Sequence, residues 1–392
     1  MEDFLPVIIL RSYCRGIVLT STRARTKMIP DPNPDRLPFN RFSRRDFLRT
    51  TFGASTFAAS AVATGVGSLS SADAAASGGA TSRSETLVKT LYESLTEAQR
   101  AKVCFPFNDP RRLHVNNNWR VSKSLMIDDF DADQRAMMKE IFMGVHNPEY
   151  AARVLHQVED DNNRHGLDGS AIAIFGEPDS GQCEFVITCR HMTRRCDGDS
   201  VEGTAFGGPI FYGHAPRFHE GPDHEGNVYW YQALRAIEVF QMLDGKQRQI
   251  ALLENGRRER GTETVRLTGK TEGLDGIKVA ALSLDQANHV RKVIEDVLAP
   301  YRQADVAEAM KLIEKNGFEN LHMAFYENGD LGDDRVWDVW QIEGPAALIY
   351  FRGSPHVHAW VHIKESAFEK GAPITEPEPL RRDRVGKKKQ RA

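Results

Sequence analysis

The 392-residue chain holds only five cysteines, and neither sign of charge dominates it. It has no segment with the roughly 20 strongly apolar residues that a membrane-spanning helix needs. So few cysteines exclude a disulfide scaffold, and the length permits a full hydrophobic core without staples. With 51 Lys+Arg against 54 Asp+Glu the net charge is −3, which by itself favours no class of partner. Common catalytic signatures are also missing. There is no Gly-x-Ser-x-Gly elbow, no phosphate-binding loop, no Gly-x-Gly-x-x-Gly behind a strand, no Cys-x-x-Cys and no Cys-x-x-Cys-His. These gaps remove the usual hydrolase, nucleotide-binding and thiol-redox templates. A Ser/His/Asp triad assembles in space and leaves no such mark.

What the sequence does contain begins with an address. Ser43-Arg44-Arg45-Asp46-Phe47-Leu48-Arg49 heads a weakly apolar stretch rich in Gly, Ala, Ser and Thr that runs to about Leu69. Ala72-Asp73-Ala74 and Ala74-Ala75-Ala76 then offer small-residue cleavage patterns. Arg44, Arg45, Phe47 and Leu48 carry the twin-arginine signature, so residues 28–76 are expected to be a signal peptide read by the twin-arginine (Tat) translocase. The expected destination is the periplasm or the exterior, reached in the folded state. Residues 1–27 fit no signal peptide and read as an over-called extension ahead of Met28. Residues 77–83 read as a linker, 84–375 as one domain, and 376–392 as a basic disordered tail. The body from Ser84 to Leu380 has 33 basic and 47 acidic residues, a net of −14. Such a body is a poor nucleic-acid binder.

Cys104, Cys183, Cys189 and Cys196 remain in the mature chain. Cys183 and Cys189 lie too far apart along one extended strand to bond, whereas Cys189 with Cys196 across a hairpin is geometrically open. Free buried thiols are the default for a protein that folds in a reducing compartment.

Four segments announce helix starts: Ser94-Leu95-Thr96, Asp129-Phe130-Asp131, Met242-Leu243-Asp244 and, more loosely, Ser283-Leu284-Asp285. Each places an apolar residue before a capping Thr or Asp. Their spacing is too irregular for a solenoid. Helical periodicity runs through roughly 84–104, 131–143, 147–162, 229–244, 245–255, 284–298 and 302–316. Strand signals occupy 171–175, 184–191, 321–326, 336–342, 346–351 and 356–363, the last three as a tight meander. Helices and strands are grouped, which predicts an α+β domain with helices packed on a mostly antiparallel sheet, and a polar insertion near 255–280.

The sharpest chemical signal is His356-Val357-His358-Ala359-Trp360-Val361-His362. Alternate residues of a strand share a face, so His356, His358, Trp360 and His362 project one way and the apolar set the other. Two imidazoles two residues apart on a strand can reach one metal ion, and a polar outer face carries the same pattern without one. A second candidate is His191, at the end of the strand from Glu184, with Arg190 beside it. His214, His219 and His224 lie in a Gly/Pro-rich stretch, at a spacing that lacks a helical metal-binding frame.

Trp119, Asp133-Gln134-Arg135, Ile172-Ala173-Ile174-Phe175-Gly176-Glu177-Pro178, Arg190-His191, Pro209-Ile210-Phe211-Tyr212-Gly213-His214, Ile342-Glu343-Gly344-Pro345 and His356-Val357-His358 together resemble the family of domain of unknown function 3500. The resemblance spans roughly 90–365. The family pattern has Gly-His-His where this chain has Cys189-Arg190-His191, and an acidic residue near Tyr350. The family carries no assigned activity, so the resemblance implies a coherent fold rather than a reaction. Combined with the strand pattern, it singles out His191, His356 and His358 as ligands to a Zn or Cu ion with an open position. Glu184 is an acid/base candidate, and Arg190 is a contact for an anionic group of a small-molecule substrate. Three readings follow: a metal-dependent exported enzyme, a non-catalytic periplasmic metal- or ligand-binding protein, or a metal-free envelope-interaction protein.

Overall fold

The computed structural model describes residues 83–198, 200–214, 227–331 and 336–368. The signal residues Arg44, Arg45, Phe47 and Leu48, the loop histidines His219 and His224, and the basic tail lie outside them.

Helices form where capping chemistry and apolar spacing coincide. They are α1 (Arg83–Ser94), α2 (Glu97–Val103), α3 (Met126–Asp129), α4 (Ala132–Gly144), α5 (Pro148–Asp161), α6 (Trp230–Met242), α7 (Gly245–Ala251), α8 (Leu284–Leu298) and α9 (Gln303–Lys315). Thr96, Asp131, Asp244 and Ser283 each accept from the backbone N–H of a glutamine three residues on, whose side chain returns to the cap N–H. This satisfies two orphan backbone donors at each start. The expected helix over 84–104 is two helices, because Thr96 caps a new one. The pattern over 245–255 ends at Ala251, where the chain enters a strand. At α8 the cap is Ser283 rather than Asp285, since only Ser283 stands three residues before Gln286.

The strands are β1 (Cys104–Phe105), β2 (Ala171–Glu177), β3 (Gln182–Cys189), β4 (Met192–Cys196), β5 (Ile210–His214), β6 (Leu252–Leu253), β7 (Ile277–Lys278), β8 (His322–Tyr326), β9 (Val339–Glu343), β10 (Ala347–Arg352) and β11 (Val357–Ile363). They form one sheet in the order β1-β2-β3-β4-β5-β11-β10-β9-β8-β6, with β7 also against β8. Only the short edge pairings β1–β2 and β6–β8 are parallel among these strands. The domain is therefore α+β with a mostly antiparallel sheet, as expected.

The element order repeats. Apart from α3 and β7, two helices, a short strand, two more helices and a four-strand meander occur as α1-α2-β1-α4-α5-β2-β3-β4-β5. They recur as α6-α7-β6-α8-α9-β8-β9-β10-β11. The capping glutamines show the same repeat in detail. Gln99 donates to Gln134 at 2.8 Å and Gln134 to the Ser94 carbonyl at 3.1 Å. In the second half Gln247 donates to Gln286 at 3.0 Å and Gln286 to the Met242 carbonyl at 2.7 Å. The four helix starts are two matched pairs, one pair per half. The halves meet where their last strands pair antiparallel, with Trp360 opposite Phe211 and His358 opposite Gly213.

Helices bury one face of the sheet, in a core that runs from Val88 to Ile363. The other face carries two smaller clusters, one around Phe175 and Val186 and one around Trp360, Tyr350 and Phe211. Val265 and Leu267, from the expected polar insertion, cover the second of these. The four cysteines among the described residues are free, and burial pushes their thiols up, Cys104 to about 11 and Cys189 to about 12. Cys189 and Cys196 end up at opposite ends of the β3–β4 ladder, since Cys189 faces Met192 and Cys196 faces Phe185. Among the described residues no helix is long and apolar enough to cross a membrane.

Candidate metal centre

Three sheet positions converge at the end where the two halves join: the β3–β4 turn, the end of β5 and the start of β11. The turn is Arg190-His191, and His191 adopts φ +56°. A non-glycine residue holds that conformation only where its surroundings fix it. Here the His191 N–H donates to the Asn117 carbonyl at 2.8 Å, and its own carbonyl accepts from the Gly213 N–H at 3.1 Å. The imidazole is thereby aimed at the first turn of chain before β11.

There it meets His356 and His358. Ring centroids lie 5.1 Å (His191–His356), 5.0 Å (His191–His358) and 4.6 Å (His356–His358) apart. One nitrogen from each ring falls within 4.8 Å of the other two. The two Nε2 atoms of His356 and His358 are 2.9 Å apart. Ligands at about 2.0–2.1 Å from a tetrahedral ion sit about 3.3 Å from one another, so these separations bracket a site. His191 and His358 are 4% and 2% exposed, whereas His356 is half-buried and opens the cluster to solvent.

Room for the rings depends on Gly213. A Cβ there would stand 3.3 Å from Cδ2 of both His191 and His358, and 2.4 Å from the Val357 carbonyl oxygen. Glycine is what lets the joint and the two imidazoles share this space.

Each half supplies a carboxylate to its own histidine. Asp161, the last residue of α5, lies 2.9 Å from His191 Nδ1 and also accepts from Gln157 at 2.7 Å. Gln157 in turn accepts from the Tyr229 hydroxyl at 3.2 Å. Glu259 Oε2 lies 2.7 Å from His358 Nδ1, and its other oxygen accepts from Arg352 Nε at 2.8 Å. Arg352 Nη2 also contacts His358 Nδ1. At His191 the carboxylate beside Nδ1 favours the proton there and leaves Nε2 as the lone-pair atom, as a carboxylate behind the ring does for a metal-ligating imidazole. At His358 Glu259 favours the same proton against Arg352, whose guanidinium can only donate. Burial drops the His356 imidazole to about 3, helped by the neighbouring His358 and His191. Burial also lowers His358 to about 4, against the pull of Glu259. Both rings are neutral at physiological pH, as ligands must be. Burial raises Glu259, but the hydrogen bond from His358 and the charge of Arg352 outweigh it and hold the carboxyl below its ordinary value.

The other expected residues are placed differently. Glu184 is fully buried and spans 2.7 Å to Arg195 Nη1 and 3.0 Å to Arg112 Nη1. It is an anion locked between two guanidiniums, and the carboxylates against the imidazoles are Asp161 and Glu259. Arg190 is exposed at the turn, with its backbone bridged to Asn118. His362 shares the face of His358 but turns to the Val265 carbonyl at 3.0 Å, and Trp360 packs on Phe211 with centroids 4.5 Å apart. That face is covered rather than open. His214 is the buried last residue of β5.

The family model described as "Protein of unknown function (DUF3500)" matches residues 77–366. The chain belongs to this family. No curated protein and no solved structure matches it. The DUF3500 match encloses all three histidines, both carboxylates and the joint between the halves. Sequence reasoning missed Asp161 and Glu259. Asp161 sits in an acidic helix end, Glu159-Asp160-Asp161, that reads as solvated. Glu259 is the one acid within Arg257-Arg258-Glu259-Arg260, and a lone carboxylate in a basic run was the available clue.

Proposed function

We propose that His191, His356 and His358 hold one zinc or copper ion and that the protein is a metal-dependent enzyme acting on a small molecule. One observation carries this reading: three imidazoles from separate halves present nitrogens within 4.8 Å, and two have Nδ1 occupied by a carboxylate. The donor set fits, since three imidazole nitrogens suit zinc and copper and leave a further position for substrate. An ion there supplies Lewis acidity toward a substrate oxygen, or, as copper, a one-electron couple. Asp161 and Glu259 fix the orientation of their rings. His356, the most open of the three, marks the side from which ion and substrate enter.

The test is metal content by mass spectrometry of untagged protein, beside the His356→Ala/His358→Ala double variant. About one ion per wild-type chain, lost in the variant with folding intact, supports the site. A wild-type chain that stays empty after exposure to zinc and to copper sinks it. An ion without turnover of ester, phosphoester or redox substrates leaves a metal-binding protein instead.

Export by the twin-arginine route belongs to the same proposal. Its support is the Arg44-Arg45-Asp46-Phe47-Leu48 motif with the alanine-rich cleavage patterns behind it. It also suits a protein that takes its ion before crossing the membrane. Replacing Arg44 and Arg45 by lysine retains the precursor in the cytoplasm on this reading; unchanged export removes it.

A further inference from the structure

We infer that the substrate of this centre is an oxyanion, a small molecule bearing a carboxylate or phosphate, held by a rim of arginines. The inference rests on the metal-site reading above. Three segments surround the imidazoles. The Arg190-His191 turn is bridged to Asn118. Val115 of that same stretch donates its N–H to Thr262 Oγ1 at 3.1 Å, and Gly261 packs close to Val115 and Asn116. Glu259, two residues before Gly261, reaches His358. The stretches 115–120, 190–191 and 257–262 thus abut at one end of the sheet.

Along them stand Arg120, Arg190, Arg258 and Arg260, all exposed. No carboxylate of the described residues pairs with any of the four. Glu259, between Arg258 and Arg260 in sequence, is committed to His358 and Arg352. The contrast with the rest of the chain gives this meaning, because the body from 84 to 380 carries a net −14. Cations without a carboxylate partner, carried on the segments that abut the histidine centre of a chain with a net acidic body, draw anions toward that end of the sheet. Guanidinium matches the planar geometry of carboxylate and phosphate oxygens. The rim holds the charged group, and the reacting group reaches the histidines.

The experiment is calorimetric titration of the zinc-loaded protein with phenyl phosphate, benzoate and the neutral benzyl alcohol. It compares wild type, Arg190→Gln/Arg258→Gln and Arg266→Gln, an exposed arginine already near Glu263. The expected result is anion binding at least about tenfold tighter than the alcohol, weakened about tenfold in the double variant and unchanged in Arg266→Gln. Zinc content stays the same in all three. The phosphate and carboxylate arms separate the two oxyanions. Equal binding of the neutral compound, or full anion affinity in the double variant, overturns the inference. If the chain takes no zinc, the metal reading fails by itself, and the same comparison on metal-free protein still decides whether the arginines hold anions.

Discussion

The two halves share an element order and a glutamine clasp, yet they are put to different uses. In the first half the meander turn is Arg190-His191, with His191 at φ +56°. The matching turn of the second half is Pro345-Ala346, closed by the Gly344 N–H to the Ala347 carbonyl at 2.8 Å. One turn aims an imidazole; the other only reverses the chain. Counting back from the turns, Glu184 corresponds to Val339, so a buried ion pair in one half is an apolar contact in the other. Helix α5 ends on Asp161, against the site, while α9 ends on Lys315, which pairs with Glu365. The architecture is common to both halves and the chemistry is local. The proposed centre owes its histidines and carboxylates to a few differences between the halves at one end of the joint.

The largest expected effect tests the Glu184–Val339 contrast. Glu184→Gln leaves Arg195 and Arg112 without their anion and destabilises the fold by about 3–5 kcal/mol in urea unfolding. Metal content stays unchanged. Loss of the ion at full stability would return Glu184 to the site.

A second contrast concerns the ends of β4 and β10, where Asp197 and Arg352 stand in the same place. Burial pushes the Asp197 carboxyl up to about 7, with the charge of Glu184 adding to it. The folded chain therefore keeps a proton that the unfolded chain releases near pH 4. The resulting stabilisation is complete below about pH 4 and is lost as pH rises through about 7, a change on the order of a few kcal/mol. Asp197→Asn flattens that part of the stability profile between pH 4 and 8. An unaltered slope in the variant would assign the effect elsewhere.

Next come the two carboxylates. Asp161→Asn and Glu259→Gln each weaken zinc binding by about 10–100-fold in chelator competition, because each releases its ring from the required tautomer. Glu343→Gln changes a buried carboxylate on the same face that pairs with Arg257, and it leaves zinc affinity as it was. If all three behave alike, the selective role of the first two falls.

The smallest effect probes the clasp itself. Gln134→Ala and Gln286→Ala each cost about 1–2 kcal/mol, and the two values agree within error, if the clasps are one device used twice. A marked inequality would mean that the halves differ in more than their sites.

Much of the helical layer was legible in sequence, because caps and apolar periodicity are local. The four glutamines at the helix starts were visible as Thr- or Asp-led segments, but not as reciprocal partners, since Gln99 meets Gln134 only after two helices pack. Strands β4 and β5 were not expected. Met192-Thr193-Arg194-Arg195-Cys196 is too polar to read as buried, although all five residues are buried. Arg195 satisfies that burial through Glu184 and the Pro209 carbonyl. Of the centre, His356 and His358 followed from strand alternation and His191 from its place at a strand end. Their carboxylate partners did not, because Asp161 and Glu259 reach the rings from a helix terminus and a covering loop far apart in sequence.

The joint between β5 and β11 has a thermodynamic consequence. His191 and Asp161 belong to the first half, and His356, His358 and Glu259 to the second. An ion bound by all three histidines grips both halves at once, with one ligand from the first and two from the second. Its binding energy is therefore added to the association of the halves, and loading by a factor of 100 over the dissociation constant would contribute about 2.7 kcal/mol to the whole fold. On the proposed metal reading, the centre is a clamp whose occupancy sets how firmly the two halves stay closed.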